Sequence, residues 1–385
     1  MTFPFSQNLN SAGQQAFPHF MLQEIYQQPE ALQTCLAAYL SPSSPLLRLP
    51  KFIDLHQIHI LGSGTSRHAG LVAQYWLEQV VGIPTRVRSA SEFLSAPLPL
   101  TTSTLTLAIT QSGETADTLA AAKQQKADYS RLANPGQGYL LGITNHPDSS
   151  LAGIVDHLLP TLAGTEVGVA ATKTFTTQLA VLACLSFHLA SQLQTLPPEP
   201  LGQLLANLQG LPAQISAVLT QHEDAIQAIT RTLTRTPNCI VLGQGINRAI
   251  ALEGALKLKE TTYIHAEGYA AGEFLHGPIA LLDPGIPVIA IVPCDHTYSQ
   301  VIAAVRKVKS HQVPVIGITT APPETEEVQS SDHLLFDHLI TLPLVDRLLS
   351  PFLTVVPLQL LAYHIAVQKG LNVDRPRNIT KTLIE

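Results

Sequence analysis

The sequence predicts an α/β protein built from two tandem copies of one domain, each a parallel sheet with helices on both faces. Three observations carry this. ILGSGTSR (60–67) returns as VLGQGINR (241–248), with Gly62 and Gly243 181 residues apart. Glu92 and Glu273, each followed by Phe, keep the same offset of 181, and LLGITN (140–145) returns as VIGITT (315–320) at an offset of 175. Matches in one order at nearly one spacing mark a duplication. Inside each copy, short apolar runs alternate with helical stretches, the grammar of βαβ units.

Taken in order, residues 1–50 read as an N-terminal helical segment. The first domain spans 51–195, with strand runs at 58–61, 85–87, 105–109, 139–144 and 157–159. Residues 196–222, opening on Pro197, Pro198 and Pro200, are the linker and helix between copies. The second domain spans 223–370, with strand runs at 239–242, 264–266, 288–292, 313–319 and 338–342, and 371–385 form a C-terminal tail. The most apolar long stretch, 349–367, holds Pro351, Pro357, Gln359 and His364, so it reads as a buried or interface helix and not a membrane span.

Composition narrows the function. The chain of 385 residues is 45% hydrophobic and 13% charged, about half the charged share of ~25% usual in soluble proteins. Large cores and subunit contacts follow from that balance. Net charge is −6 and there are no long blocks of one sign, which excludes a nucleic-acid binder. Four cysteines without CxxC spacing exclude a zinc site or disulfide framework and point to a reducing cytoplasm. The first basic residue is Arg48, so a signal-peptide n-region is missing. No metal or cofactor is expected. GSGTSR falls short of the dinucleotide fingerprint, because Arg67 stands where the third glycine belongs.

The loops after the first and third strand runs hold Ser63, Thr65 and Ser66, and then Thr110, Gln111, Ser112 and Thr115, with no Lys or Arg in the second of them. Both should open on the same sheet edge. Hydroxyls and backbone N–H groups at a helix N-terminus suit a phosphate or sugar hydroxyls, with the helix dipole in place of a basic side chain. The competing reading is plain N-capping, which Ser and Thr also favour. In the second copy, Glu253, Lys257 and Glu260 fall at i, i+4, i+7 on one helical stripe, either a solvated ion-pair ladder or a site. His276, before Gly277-Pro278, belongs in an exposed turn where it could transfer protons.

Five segments together resemble the isomerase part of glucosamine-6-phosphate synthase, a pair of sugar isomerase (SIS) domains. They are HFMLQEIYQQP (19–29), QSGETADT (111–118), AGTEVGVAATKTFTTQL (163–179), ALEGALKLKETTYIHAEGYAAGEFLHGP (251–278) and DRPRNITK (374–381). The resemblance implies a flavodoxin-like three-layer sandwich in each copy. It places Gly64, Thr65, Ser66, Gln111, Ser112 and Thr115 in sugar-phosphate loops, with Thr110 beside them, and Val169 and Ala171 in a third loop around the sugar. Glu260 matches the carboxylate that moves a proton between C1 and C2, and Lys257 its partner. His276 matches a ring-opening histidine donated to the neighbouring subunit, which implies a homodimer with a shared site. Lys381, which by itself would be an ordinary tail lysine, matches the lysine that forms a Schiff base with the open ketose. The 371–385 tail thereby becomes catalytic. Ser63 stands where the family has Cys, Thr110 where it has Ser, and Ala171 where it has Ser, so one hydroxyl is lost at the sugar.

The family's glutaminase nucleophile is an N-terminal Cys, whereas this chain starts Met1-Thr2-Phe3. The expected activity is therefore interconversion of fructose 6-phosphate and glucosamine 6-phosphate, as ammonia-dependent synthesis or deamination, without glutamine hydrolysis. An isomerase or deglycase of another amino-sugar phosphate, or a non-catalytic sugar-phosphate sensor, are the alternatives. Partners are then a small sugar phosphate and a second copy, with no nucleic acid and no membrane.

Overall fold

All ten strand runs form strands, and every strand pair is parallel. The computed structural model describes residues 17–52, 54–100, 103–132, 138–320 and 332–381. Helices α1 (Phe20–Tyr26) and α2 (Gln28–Tyr39) precede the first sheet. That sheet holds β1 (Gln57–Gly62), β2 (Thr85–Ser89), β3 (Thr104–Ile109), β4 (Gly138–Thr144) and β5 (His157–Pro160), in the order β2-β1-β3-β4-β5. Helices α3 (Gly64–Trp76), α4 (Ala90–Ser95) and α5 (Ala116–Ser130) connect its strands. The two copies are joined through α6 (Lys173–Leu193) and α7 (Pro198–Leu233).

The second sheet holds β6 (Asn238–Gly243), β7 (His265–Ala270), β8 (Val288–Val292), β9 (Val315–Thr320) and β10 (His338–Leu342). Helices α8 (Asn247–Thr262), α9 (Ala271–Phe274), α10 (Tyr298–Lys309) and α11 (Ser350–Gln368) accompany it. Its order, β10-β9-β8-β6-β7, is the first sheet's order read from the other edge. The duplication seen in the sequence is thus a duplication of topology.

Central strands are buried on both faces, which explains their unbroken apolar runs: β3 and β8 have no exposed residue. In register, Gly62 at the end of β1 lies opposite Ile109 at the end of β3. Chain order reverses between these two strands, so the crevice beyond their carboxyl ends is a topological switch point, where ligands bind in doubly wound sheets.

Helices α6 and α11 are long and apolar enough to cross a membrane, yet 89% and 94% of their most apolar windows are buried inside the fold. They are core helices. Pro351 sits in the first turn of α11, where a missing N–H costs nothing, and Pro357 lies inside it. The copies pack closely: Trp76 of α3 donates to the Leu348 carbonyl at 2.8 Å and stacks on Phe352 of α11. Helix α3 also lies against α8. That packing brings the first copy's loops beside the charged stripe of the second.

Candidate active site

The first helical turn after β1 begins at Gly64, whose φ of +51° needs a residue without Cβ strain. Ser63 occupies the cap position of α3 but makes no side-chain cap bond. Thr115 stands at the cap of α5 and makes none either, its hydroxyl pairing instead with Thr110 at 2.7 Å. By contrast Ser44 and Ser89 do cap their helices. The hydroxyls at the switch point are therefore not spent on capping. Two helix N-termini keep side-chain-free N–H groups, the arrangement that binds an anion without a basic residue.

A cleft of about 170 Å³ opens there. It brings together Thr65, Ser66, Thr110, Gln111, Ser112, Thr115, Val169, Ala171 and Lys381 from four separate stretches of chain. Lys381 reaches in from the C-terminal segment, its Nζ 2.8 Å from Glu166 Oε2 and 2.7 Å from the Gly168 carbonyl. Glu166 is fully enclosed. Burial drives its carboxyl upward, but Lys381 and the hydrogen bonds from Thr172 and Thr174 outweigh that and hold it below the usual carboxylate range.

The charged stripe of α8 lies alongside. Glu253 and Lys257 are both 0% exposed, so the solvated-ladder reading does not hold. Lys257 Nζ stands 3.4 Å from Glu253 and 2.6 Å from Glu260 and donates to the Thr65 hydroxyl at 3.1 Å. That hydroxyl donates in turn to Glu253 at 3.0 Å, and His68 pairs with the other Glu253 oxygen at 2.7 Å. Thr65 is thus fully engaged in tying the first copy's loop to the second copy's helix. Burial lowers the Lys257 ammonium, but Glu260 and Glu253 raise it more, so it stays charged.

Four expected residues are not among the cleft's lining: Gly64, which opens α3, Lys257, buried beside the cleft, and two that lie elsewhere, Glu260 and His276. Glu260 does not line the cleft. It borders a neighbouring depression with Tyr263, His265 and Arg377, separated from Thr65 by the Lys257 ammonium. His276 is exposed in the turn that follows α9 and is not among the cleft's lining residues. Two further polar residues line the cleft. Gln178 of α6 donates to Ser66 at 3.0 Å, which orients the Ser66 proton away from it, and Thr118, the last hydroxyl of the 111–118 segment, sits on the first turn of α5. Gln178 lies in a helix whose pattern announces packing, so only the assembled fold makes its place readable. The second copy's equivalent loop, by contrast, carries an acid: Asp295 accepts from the Thr297 amide and hydroxyl, and a carboxylate there opposes an anion. Among the described residues no cluster of His, Cys, Asp or Glu could hold a metal ion.

Fold and cleft define a tandem α/β protein with one anion-suited crevice at a switch point and a buried charge network beside it. The chain belongs to the SIS domain family, whose model matches residues 51–186 and again 232–369. It is 48% identical over 379 residues to the glutamine–fructose-6-phosphate aminotransferase (isomerizing) of Thermosynechococcus vestitus, covering 96% of this chain and 60% of that protein. The protein of the same description from Synechocystis sp. is 47% identical over 383 residues, covering 96% of this chain and 59% of that one. This chain thus spans about 60% of the length of the curated relatives it matches. The solved C-terminal domain of glucosamine-fructose-6-phosphate aminotransferase from Francisella tularensis superposes with a TM-score of 0.84 at 34% identity. That match covers 95% of this chain and 100% of the other.

Proposed function

We propose that this chain carries the sugar chemistry of an aminotransferring isomerase, interconverting fructose 6-phosphate plus ammonia with glucosamine 6-phosphate plus water. The observation that carries the reading is the cleft itself, where two uncapped helix N-termini face a lysine that enters from the tail. The phosphate takes the N-terminal amides of α3 and α5 with Ser66, Gln111 and Ser112. Lys381, as the free amine, attacks the ketose C2 carbonyl, and its two protons leave with the carbonyl oxygen as water. Ammonia then adds at C2 and expels the Lys381 amine, which takes back a proton as the C2–N bond to the lysine breaks. Glu260 moves the proton between C1 and C2, which requires the open chain to extend past Thr65 toward α8. Lys257 holds that carboxylate in place. The buried free thiols Cys35, Cys184 and Cys239 suit a reducing compartment, and we assign the cytoplasm.

The direct test offers the purified chain a panel of hexosamine 6-phosphates and measures released ammonia, then offers fructose 6-phosphate with ammonium chloride and measures amino sugar. Glucosamine 6-phosphate should be the preferred substrate. Only uncharged NH₃ is a nucleophile, so synthesis should improve as pH rises above neutrality. A chain that releases no ammonia and forms no amino sugar from any of these would end the proposal.

The second part of the reading is a homodimer in which His276 serves the neighbouring subunit's cleft. Its support is the exposure of His276 away from its own cleft. Mixing His276→Ala with Lys381→Arg subunits gives hybrids in which one site receives both intact groups. Random exchange should restore about a quarter of wild-type activity from two inactive parents, because a two-fold interface reciprocates its contacts. No recovery after verified exchange would place His276 in its own subunit's site.

A further inference from the structure

The bonds that hold Lys381 continue outward to helix α1. Lys381 docks on the Gly168 carbonyl, and the backbone beneath that dock is held by Glu24. One Glu24 oxygen accepts from the Val167 amide, and the Gly168 amide donates to both oxygens at 3.2 Å. Val169 then donates to the Asp374 carbonyl at 3.1 Å. The Asp374 carboxylate accepts from the Phe20 and Met21 amides at 3.0 and 2.8 Å, fastening the start of α1. The circuit closes on itself: helix, loop, tail, helix. Glu24 is 2% exposed, and a Cβ on Gly168 would stand 2.8 Å from its Oε2. A side chain at 168 would therefore push Glu24 from the backbone it holds.

We infer that Glu24 is a positioning residue for Lys381, fixing the Val167–Gly168 backbone on which the ammonium docks and coupling that dock to helix α1. The dock stands on these bonds alone; its consequence for catalysis rests on the imine role proposed for Lys381. The charged groups around Glu24 are Glu166 from the loop, Lys381 from the tail and Lys173 from α6, whose ammonium bonds Gln27 of α1's end at 2.8 Å. Asp374 faces the same helix from its start, and Glu30 of α2 lies near Lys173. Burial, reinforced by Glu166 and opposed by the Val167 amide, Lys381 and the Gly168 amide, pushes the Glu24 carboxyl up to about 7. Its charge therefore changes around neutral pH. Glu24 also lines a cleft of about 470 Å³ that shares no lining residue with the one holding Lys381, so protons reach it without crossing the proposed sugar site.

The experiment labels the full chain, without sugar, by formaldehyde and cyanoborohydride across pH 6 to 8.5. Peptide mapping reads the methylation of Lys381 relative to exposed Lys307. Docked, Lys381 is shielded. Wild type should show a relative rate that rises as pH falls through about 7, when Glu24 takes a proton and loosens its hold. Glu24→Gln should show a rate about tenfold higher at pH 8 and no inflection near 7. Gly168→Ala, which keeps the carboxylate but pushes it from the backbone, should match it, and covers the case in which Glu24→Gln folds poorly. Equal labelling of Lys381 in all three proteins at every pH overturns the inference. A chain that shows the labelling difference yet gives no borohydride-trapped adduct with fructose 6-phosphate keeps the dock and loses the imine reading.

Discussion

Lys381→Arg is expected to lower turnover about 10³-fold or more, the scale at which a covalent step is lost, and to abolish the borohydride-trapped adduct with fructose 6-phosphate. Arginine is the informative replacement. It keeps a cation beside Glu166, whose carboxyl burial would otherwise drive upward once the Lys381 charge is gone. A guanidinium stays protonated at any working pH and forms no imine. The fold and the Glu166 pairing therefore survive while the nucleophile does not. Lysine, in contrast, becomes a nucleophile once it loses one proton. Peptide mapping should place the wild-type adduct on the tail. Wild-type turnover in the arginine variant would remove Lys381 from the chemistry.

The strand pattern and the duplication were legible because both are local. Each strand run is set by its own apolar residues, and the repeat offset carries the pairing order from one copy to the other. The phosphate-suited loops were legible as a choice between binding and capping, and Ser63 and Thr115 make no cap bonds, which removes the plain-capping reading at those two residues. What the sequence hides are partners made across long separations. His68 and Glu253 are 185 residues apart, and Lys381 and Glu166 are 215 apart. No period or spacing encodes such pairs. Glu24 and Gln178 were hidden for a related reason: each sits in a helix whose pattern announces packing, and its role is set by what the opposite loop brings to it.

The second large effect concerns stability. Lys257→Met should destabilise the fold by about 3–5 kcal/mol, the usual penalty for leaving a buried charge without its partner. In the native protein, burial works against the ionised Glu253, but Lys257 first, then His68 and Thr65, bring its carboxyl below the ordinary range. A depressed carboxylate contributes stability that is present above its unfolded pKa and lost as pH falls through the folded one. Without Lys257 the largest opposing influence is gone and burial prevails, so the folded pKa of Glu253 moves above the unfolded one. The sign then reverses. Stability is highest where Glu253 is protonated and declines as pH rises. Melting curves between pH 5 and 8 should therefore show the gap between wild type and Lys257→Met narrowing steadily toward pH 5. Adding Glu253→Gln should recover most of the loss at pH 8, because the orphaned charge is then removed, whereas a gap of constant size across that range would exclude this origin. The recovered double variant also separates structure from chemistry. It should remain slow in turnover, since Glu260 has lost the cation that stands 2.6 Å from it on the cleft side.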